Sequence, residues 1–417
     1  MRRVATFLLA AVLVLAVAEA AGAAPTSSDP TTAARDGAAW LAARVNAQGF
    51  IPSSGDPNTP DYGSSTETVV ALAAAGVGGT TIDSLMTYLS AHVDANINHG
   101  GVDDPGALAN LILAALATGA DPTSFGVPPT NLVNRLLATQ QAGGLFGSAD
   151  ATFDGAFRQG LSLLALHAAG VGNASGVAWL EDQQCADGLW MALRDPKDAC
   201  LPVDPTTFTG PDTNSTALAV LGLDAQGGVS AAVSKGVGAL DAVRNSDGGW
   251  GFLASSDQLT DADSTADVLD ALRTVNGSVD ADGRDALYSL QLGCDAPASD
   301  RGAFAFQAGP GGSLDANLLA SVQAVTAAAG VALPVVDASV RADVPTACVA
   351  SASTTTTTTV AALGSTTPTG ASPTSGTVAP AATLPRTGTS SAPLVAVGGI
   401  ALLAGAALVI GERRRRV

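Results

Sequence analysis

Six stretches of the chain carry apolar residues at helical spacing and close on a small residue or glycine: "TETVVALAAAG", "ALANLILAALATG", "FRQGLSLLALHAAG", "TALAVLGLDAQG", "TADVLDALRTVNG" and "DANLLASVQAVTAAAG". In the fifth, Val268, Leu269, Leu272 and Val275 fall on one helical face. Gly170, Gly227, Gly277 and Gly330 stand where helix C-caps are expected. Each stretch is preceded by another helical segment, a Gly-rich turn and a variable polar loop. No strand-like alternation interrupts the series. A two-helix unit recurring roughly every 45 to 60 residues is a repeat architecture. One such unit cannot bury its own apolar face, so neighbours must stack. The second helix of each unit is expected to be the more buried one.

The turns carry a second regularity. "QQAGGLF" holds Gln140, Gly144 and Phe146; "QCADGLW" holds Gln184, Gly188 and Trp190; "RNSDGGW" holds Arg244, Gly248 and Trp250. Looser copies surround Gly49, Gly100 and Gly302. The Gln-x-x-x-Gly-x-Trp of Gln184, Gly188 and Trp190 resembles the repeat of the prenyltransferase and squalene-cyclase superfamily. That resemblance covers about 300 residues and implies an all-α fold, an (α/α)6 toroid of six helical hairpins with six inner helices around a funnel. The turn residues are then stability determinants: glutamine ties backbone ends, glycine permits the reversal, and the aromatic packs on the next unit.

Outside the repeats the chain changes character. Residues 1–24, with Arg2 and Arg3 before a short apolar run and "AEAAGAA", read as a signal peptide. Residues 25–349 form the toroid domain, and 350–383 a Thr/Ser/Pro/Ala-rich stalk without core-forming side chains. Leu384-Pro385-Arg386-Thr387-Gly388 then precedes an apolar span, 394–410, and the basic run Arg413 to Arg416. This resembles the LPxTG sorting signal of Gram-positive surface proteins. The resemblance implies cleavage by a sortase between Thr387 and Gly388 and covalent attachment to peptidoglycan. It implies a secreted, wall-attached protein that touches the membrane only through the sorting helix before cleavage.

Composition narrows the partners. The formal net charge is −18 and the chain holds two lysines, Lys197 and Lys235. Nucleic acid is excluded as a partner, because phosphate neutralisation needs clustered Lys and Arg. Four cysteines in an exported chain imply two disulfides. Three pairings are possible, and loop logic favours Cys185 with Cys200 and Cys294 with Cys348. No metal or cofactor is expected: His92, His99 and His167 have no ligand-like cysteine nearby, and His167 reads as a core residue of an apolar helix. "DADGRD", 280–285, reads as a helix start rather than a calcium loop.

One stretch carries candidate chemistry. "DADSTA", 261–266, approaches the Asp-x-Asp-Asp-Thr-Ala signature of class II terpene cyclases, whose middle acid protonates an alkene. Asp263 matches that acid, while Ser264 replaces its acidic neighbour. Asp263, Asn214, Ser64 and Ser313 occupy comparable places before the second helices and read as N-caps. The sequence therefore predicts a wall-displayed, non-catalytic toroid binding an unidentified small molecule, glycan or peptide. The alternatives are a cyclase-like enzyme with Asp263 as general acid, and a structural spacer or adhesin. The animal cobalamin carriers share the toroid, but no β-rich segment follows Val349 to complete a grip of their kind.

Overall fold

The computed structural model describes residues 30–148, 155–193, 198–228, 230–336 and 342–348. The signal peptide, the stalk and the sorting signal with its apolar span lie outside the described residues. Among the described residues no helix is long and apolar enough to cross a membrane.

Thirteen α-helices are described: α1 (Pro30–Ala42), α2 (Tyr62–Ala75), α3 (Gly79–Ala91), α4 (Val93–Ile97), α5 (Pro105–Ala117), α6 (Leu132–Ala138), α7 (Ala156–Ala168), α8 (Ala174–Asp182), α9 (Thr213–Gly227), α10 (Ala231–Ala242), α11 (Ala262–Asn276), α12 (Ala281–Ser289) and α13 (Leu318–Ala329). Six of them close a ring in the order α2, α5, α7, α9, α11, α13 and back to α2. Helices α1, α3, α6, α8, α10 and α12 pack outside that ring. The body is thus an α/α toroid. Short antiparallel pairings, β1 (Pro52–Ser53) with β2 (Asp56–Pro60), β3 (Asn98–His99) with β4 (Val102–Asp103), and β5 (Phe304–Ala305) with β6 (Ala316–Asn317), are the only strands among the described residues. No β domain interrupts the repeats there.

The inner helices are surrounded, and their composition reflects it. Helix α9 buries ten residues from Thr213 to Leu223, whereas α8 buries only Gly176 and Leu180. An inner helix needs apolar or small residues nearly all round, because one face meets an outer helix and two meet ring neighbours.

The turns lock each unit to the next. Gln184 Nε2 donates to the Gly188 carbonyl and to the Ala232 carbonyl at the start of α10, both at 2.9 Å. Gln140 does the same between Gly144 and Asn173, the N-cap of α8. Arg244 takes the glutamine's place in the next turn and donates to Asp280, the N-cap of α12, at 2.8 Å. The glycines sit against the following outer helix. Gly188 and Gly248 adopt φ of +101° and +97°, and a Cβ on either would lie 2.7 Å from a carbonyl oxygen of α10 or α12. The aromatics Phe146, Trp190 and Trp250 are fully buried. The Trp190 and Trp250 backbone N–H groups donate to Thr216 and Thr265, each the fourth residue of its inner helix. Gln159 serves Phe146 and Ser321 serves Phe304 from the equivalent position.

The ring closes through the last turn. Gln291 Nε2 donates at 2.8 Å to the Ala33 carbonyl of α1 and at 3.1 Å to Gly302. After α13 the chain crosses the C-terminal ends of the inner helices: Leu333 N–H donates to Thr274 of α11, and Ala342 pairs with Gly76 and Gly78 beside α2. The tail ends at Cys348, bonded to Cys294, and Cys185 is bonded to Cys200. Their Cα separations, 5.2 and 5.7 Å, are ordinary for disulfides.

Candidate ligand-binding funnel

Each inner helix turns its sixth and ninth residues toward the axis of the ring. The sixth positions are Glu67, Asn110, Leu161, Leu218, Asp267 and Gln323. The ninth are Val70, Leu113, Leu164, Leu221, Asp270 and Thr326. They surround a cavity of about 120 Å³, floored by Leu333, Pro334 and Val335 of the crossing tail. The wall is two-sided. Helices α7 and α9 supply only leucines and Phe157, while α11, α13, α2 and α5 supply all the acids and amides, together with Val70, Leu113, Val322 and Thr326.

The start of α11 was expected to be capped by Asp263, and the cap is instead Asp261. Asp261 is extended and accepts from the Ser264 N–H at 2.7 Å, while the Ser264 hydroxyl donates back to it at 3.0 Å. The expected caps are displaced elsewhere too: Asp61 and Asp212 cap α2 and α9, three and two residues before Ser64 and Asn214, while Asn317 caps α13, four residues after Ser313. An Asp three residues before a Ser satisfies a free helix N–H and can also accept the hydroxyl, so the acid outcompetes the residues behind it. Ser264 is therefore a capping partner in the place where the family signature has an acid.

Asp263 consequently lies inside the first turn of α11, 7 % exposed, with Oδ1 lacking any hydrogen-bond partner. Burial, and then the neighbouring Asp261 and Glu67 charges, push its carboxyl well above the usual carboxylate range. Within the funnel, Asp270 is 6 % exposed and burial raises it to about 8, with Arg273 opposing. Glu67 is raised to about 7 by burial and by Asp61, although Asn110 donates to its Oε1 at 3.0 Å. Asp267 is pushed up by burial and then by Asp270, Asp263, Glu67 and Asp261. One oxygen on each of Glu67, Asp263, Asp267, Asp270 and Gln323 is buried without a partner. Native proteins rarely leave such atoms unsatisfied, and the four on Glu67, Asp267, Asp270 and Gln323 line one cavity and point to a site.

The other sequence candidates separate from this funnel. The turn residues Gln140, Gly144, Phe146, Gln184, Gly188, Trp190, Gly248 and Trp250 hold the rim of the outer ring and do not line the cavity. His167 was expected in the core and is exposed at the last turn of α7. His92 stacks on Tyr88, and His99 lies 3.3 Å from Asp104. Asp280 caps α12, as the helix-start reading required. No group of three His, Cys, Asp or Glu among the described residues is arranged to hold a metal ion. Glu67, Asp267 and Asp270 were missed; the signal available was an acid inside each of two otherwise apolar helical stretches, "TETVVALAAAG" and "TADVLDALRTVNG".

Residues 377–417 match the family model of the LPXTG cell wall anchor motif. The protein is therefore a secreted one, displayed on and covalently attached to the Gram-positive cell wall. Among curated proteins none matches the chain in sequence. Among solved structures it is similar to the type II terpene cyclase MstE from Scytonema, at 14% identity and a TM-score of 0.47, over 72% of this chain and 97% of that one. The alpha-1,6-mannanase GH76A of Salegentibacter sp. HEL1_6 is similar over 72% and 98%, at 13% identity and 0.47. For the ent-copalyl diphosphate synthase from Streptomyces platensis the figures are 19% and 0.42. There the match covers 64% of this chain and spans about half, 49%, of the synthase.

Proposed function

We propose that this is a wall-displayed binding protein whose funnel receives a small molecule, apolar on one side and hydrogen-bond-donating on the other. The observation that carries the reading is the set of unpartnered acceptor oxygens facing a leucine wall across one cavity. A ligand that donates to that set removes a desolvation penalty already present in the empty fold, and its apolar body gains from burial. The protein released from the wall should be screened against small molecules by thermal shift, alongside Leu161→Trp and Val70→Phe, which fill the funnel. Hits lost in both filled variants support the site. Hits that persist in variants with wild-type folding would move binding elsewhere.

A second reading, acid-initiated cyclisation from Asp263, draws on that residue's buried, raised and unpartnered carboxyl. The lining weighs against it. Phe157 is the one aromatic among the cavity residues, whereas passing carbocations need several aromatic faces. About 120 Å³ is also little room for a polyprenyl chain. Turnover of a polyprenyl substrate that vanishes in Asp263→Asn would establish this second reading.

A further inference from the structure

We infer that the funnel takes an organic cation: a primary ammonium seated among Glu67, Asp267 and Asp270, on an apolar body lying against Leu161, Leu218 and Phe157. The inference rests on the funnel being the binding site and names the chemistry it selects.

Three observations lead to it. The free atoms on the polar wall are carboxyl oxygens together with Gln323 Oε1, and the Asn110 amide is already committed to Glu67. An ammonium brings three donors and no acceptor, which matches that supply of acceptor oxygens once the carboxyls ionise. No Lys or Arg lines the cavity. A buried ammonium is costly unless paired, and here the pairing charge is available by deprotonation of groups that burial and mutual repulsion hold partly protonated. Finally, the apolar half excludes a fully hydrated ion, and a cavity near 120 Å³, below the roughly 150 Å³ that admits benzene, limits the apolar body to at most one small ring.

The surroundings of the carboxyls support the sign of the expected pH response. Arg273 lies one turn beyond Asp270 on α11, and Asp261 and Asp263 precede it on the same helix. The packed neighbour α13 carries no charged residue, and α9 carries Asp224. Helix α12 carries Asp282, Arg284 and Asp285, with its cap Asp280 engaged by Arg244. Around Glu67, α5 contributes only its cap Asp104, paired with Arg158 of α7, while α1 brings Arg35 and Asp36 and α3 brings Asp83. Negative groups dominate, so binding a cation should expel protons.

The test is isothermal titration of the wall-released protein with cyclohexylmethylammonium, cyclohexylmethanol and cyclohexanecarboxylate. The ammonium should bind at least tenfold more tightly than the alcohol, and the carboxylate should not bind. Affinity for the ammonium should rise several-fold from pH 6 to pH 8, with protons released to the buffer. Asp270→Asn should weaken it tenfold or more while keeping a cooperative unfolding transition, and Glu67→Gln should do so independently. If the alcohol binds as tightly as the ammonium and Leu161→Trp abolishes both, the funnel is a site but the cation assignment is wrong. If neither probe binds, or binding survives Leu161→Trp, the funnel reading falls and this inference with it.

Discussion

Replacing Asp270 by Asn tests the electrostatics of the funnel without changing its shape. The carboxyl moves from an ordinary 3.8 to about 8 in the fold, chiefly through burial. The unfolded chain therefore releases this proton near pH 4 while the folded chain keeps it until about pH 8. Between those values the native state binds more protons, so this group's contribution is full below pH 4 and is lost as pH rises toward 8. At ~1.4 kcal/mol per pH unit the whole interval amounts to on the order of 5 kcal/mol. Water entering the open funnel and rearrangement around the charge should reduce this to about 2–3 kcal/mol. Asn cannot ionise, so Asp270→Asn should match the wild type at pH 4 and exceed it progressively up to pH 9. At about 2 °C per kcal/mol for a body of this size, the melting temperatures should separate by roughly 5 °C. Calorimetry at pH 4, 6, 8 and 9, without added amines, reads this directly. A difference that stays flat with pH, or a variant less stable at pH 9, would refute the reasoning, because either outcome requires a positive partner holding the carboxylate.

Other consequences follow from the caps, the ring closure and the anchor. Asp261→Ala should cost ~1 kcal/mol by removing the α11 cap, while Asp263→Ala, which removes no cap, should be near neutral by chemical denaturation; the opposite order would restore Asp263 as the cap. Gln291→Ala strands the carbonyls of Ala33 and Gly302 and should cost about 2–4 kcal/mol, more than a surface glutamine does. A loss below about 0.5 kcal/mol would show that the ring is closed by packing alone. Replacing Thr387 should move the protein from the wall fraction to membrane or medium, and unchanged attachment would disprove sortase linkage.

The helical repeat was legible because burial on several sides forces apolar residues into six stretches at helical spacing, and the turns repeat because each locks to the next outer helix. The sixth turn was harder to see. Gln291 lies eleven residues before Gly302, with the Cys294 loop between them, where Gln184 lies four before Gly188. The cap was misplaced by two residues because Ser, Asn and Asp all cap well, and only geometry shows which one is extended. The funnel escaped for a different reason. Glu67, Asp267 and Asp270 look like ordinary solvated acids until the ring fixes which face turns inward, and their raised proton affinities depend on residues from separate units. Nothing in the pattern of Leu333, Pro334 and Val335 shows that the tail returns to floor the cavity.

The proposed funnel holds a small molecule and returns it unchanged. The most direct measurement is mass spectrometry of compounds retained by the wall-released protein, comparing the wild type with Leu161→Trp, followed by re-addition and long incubation of whatever is recovered. A compound should be present near one per chain in the wild type, absent from the filled variant, and unaltered in mass after incubation. Identical retained compounds in both proteins, or conversion to a product that stops in Asp263→Asn, would contradict it.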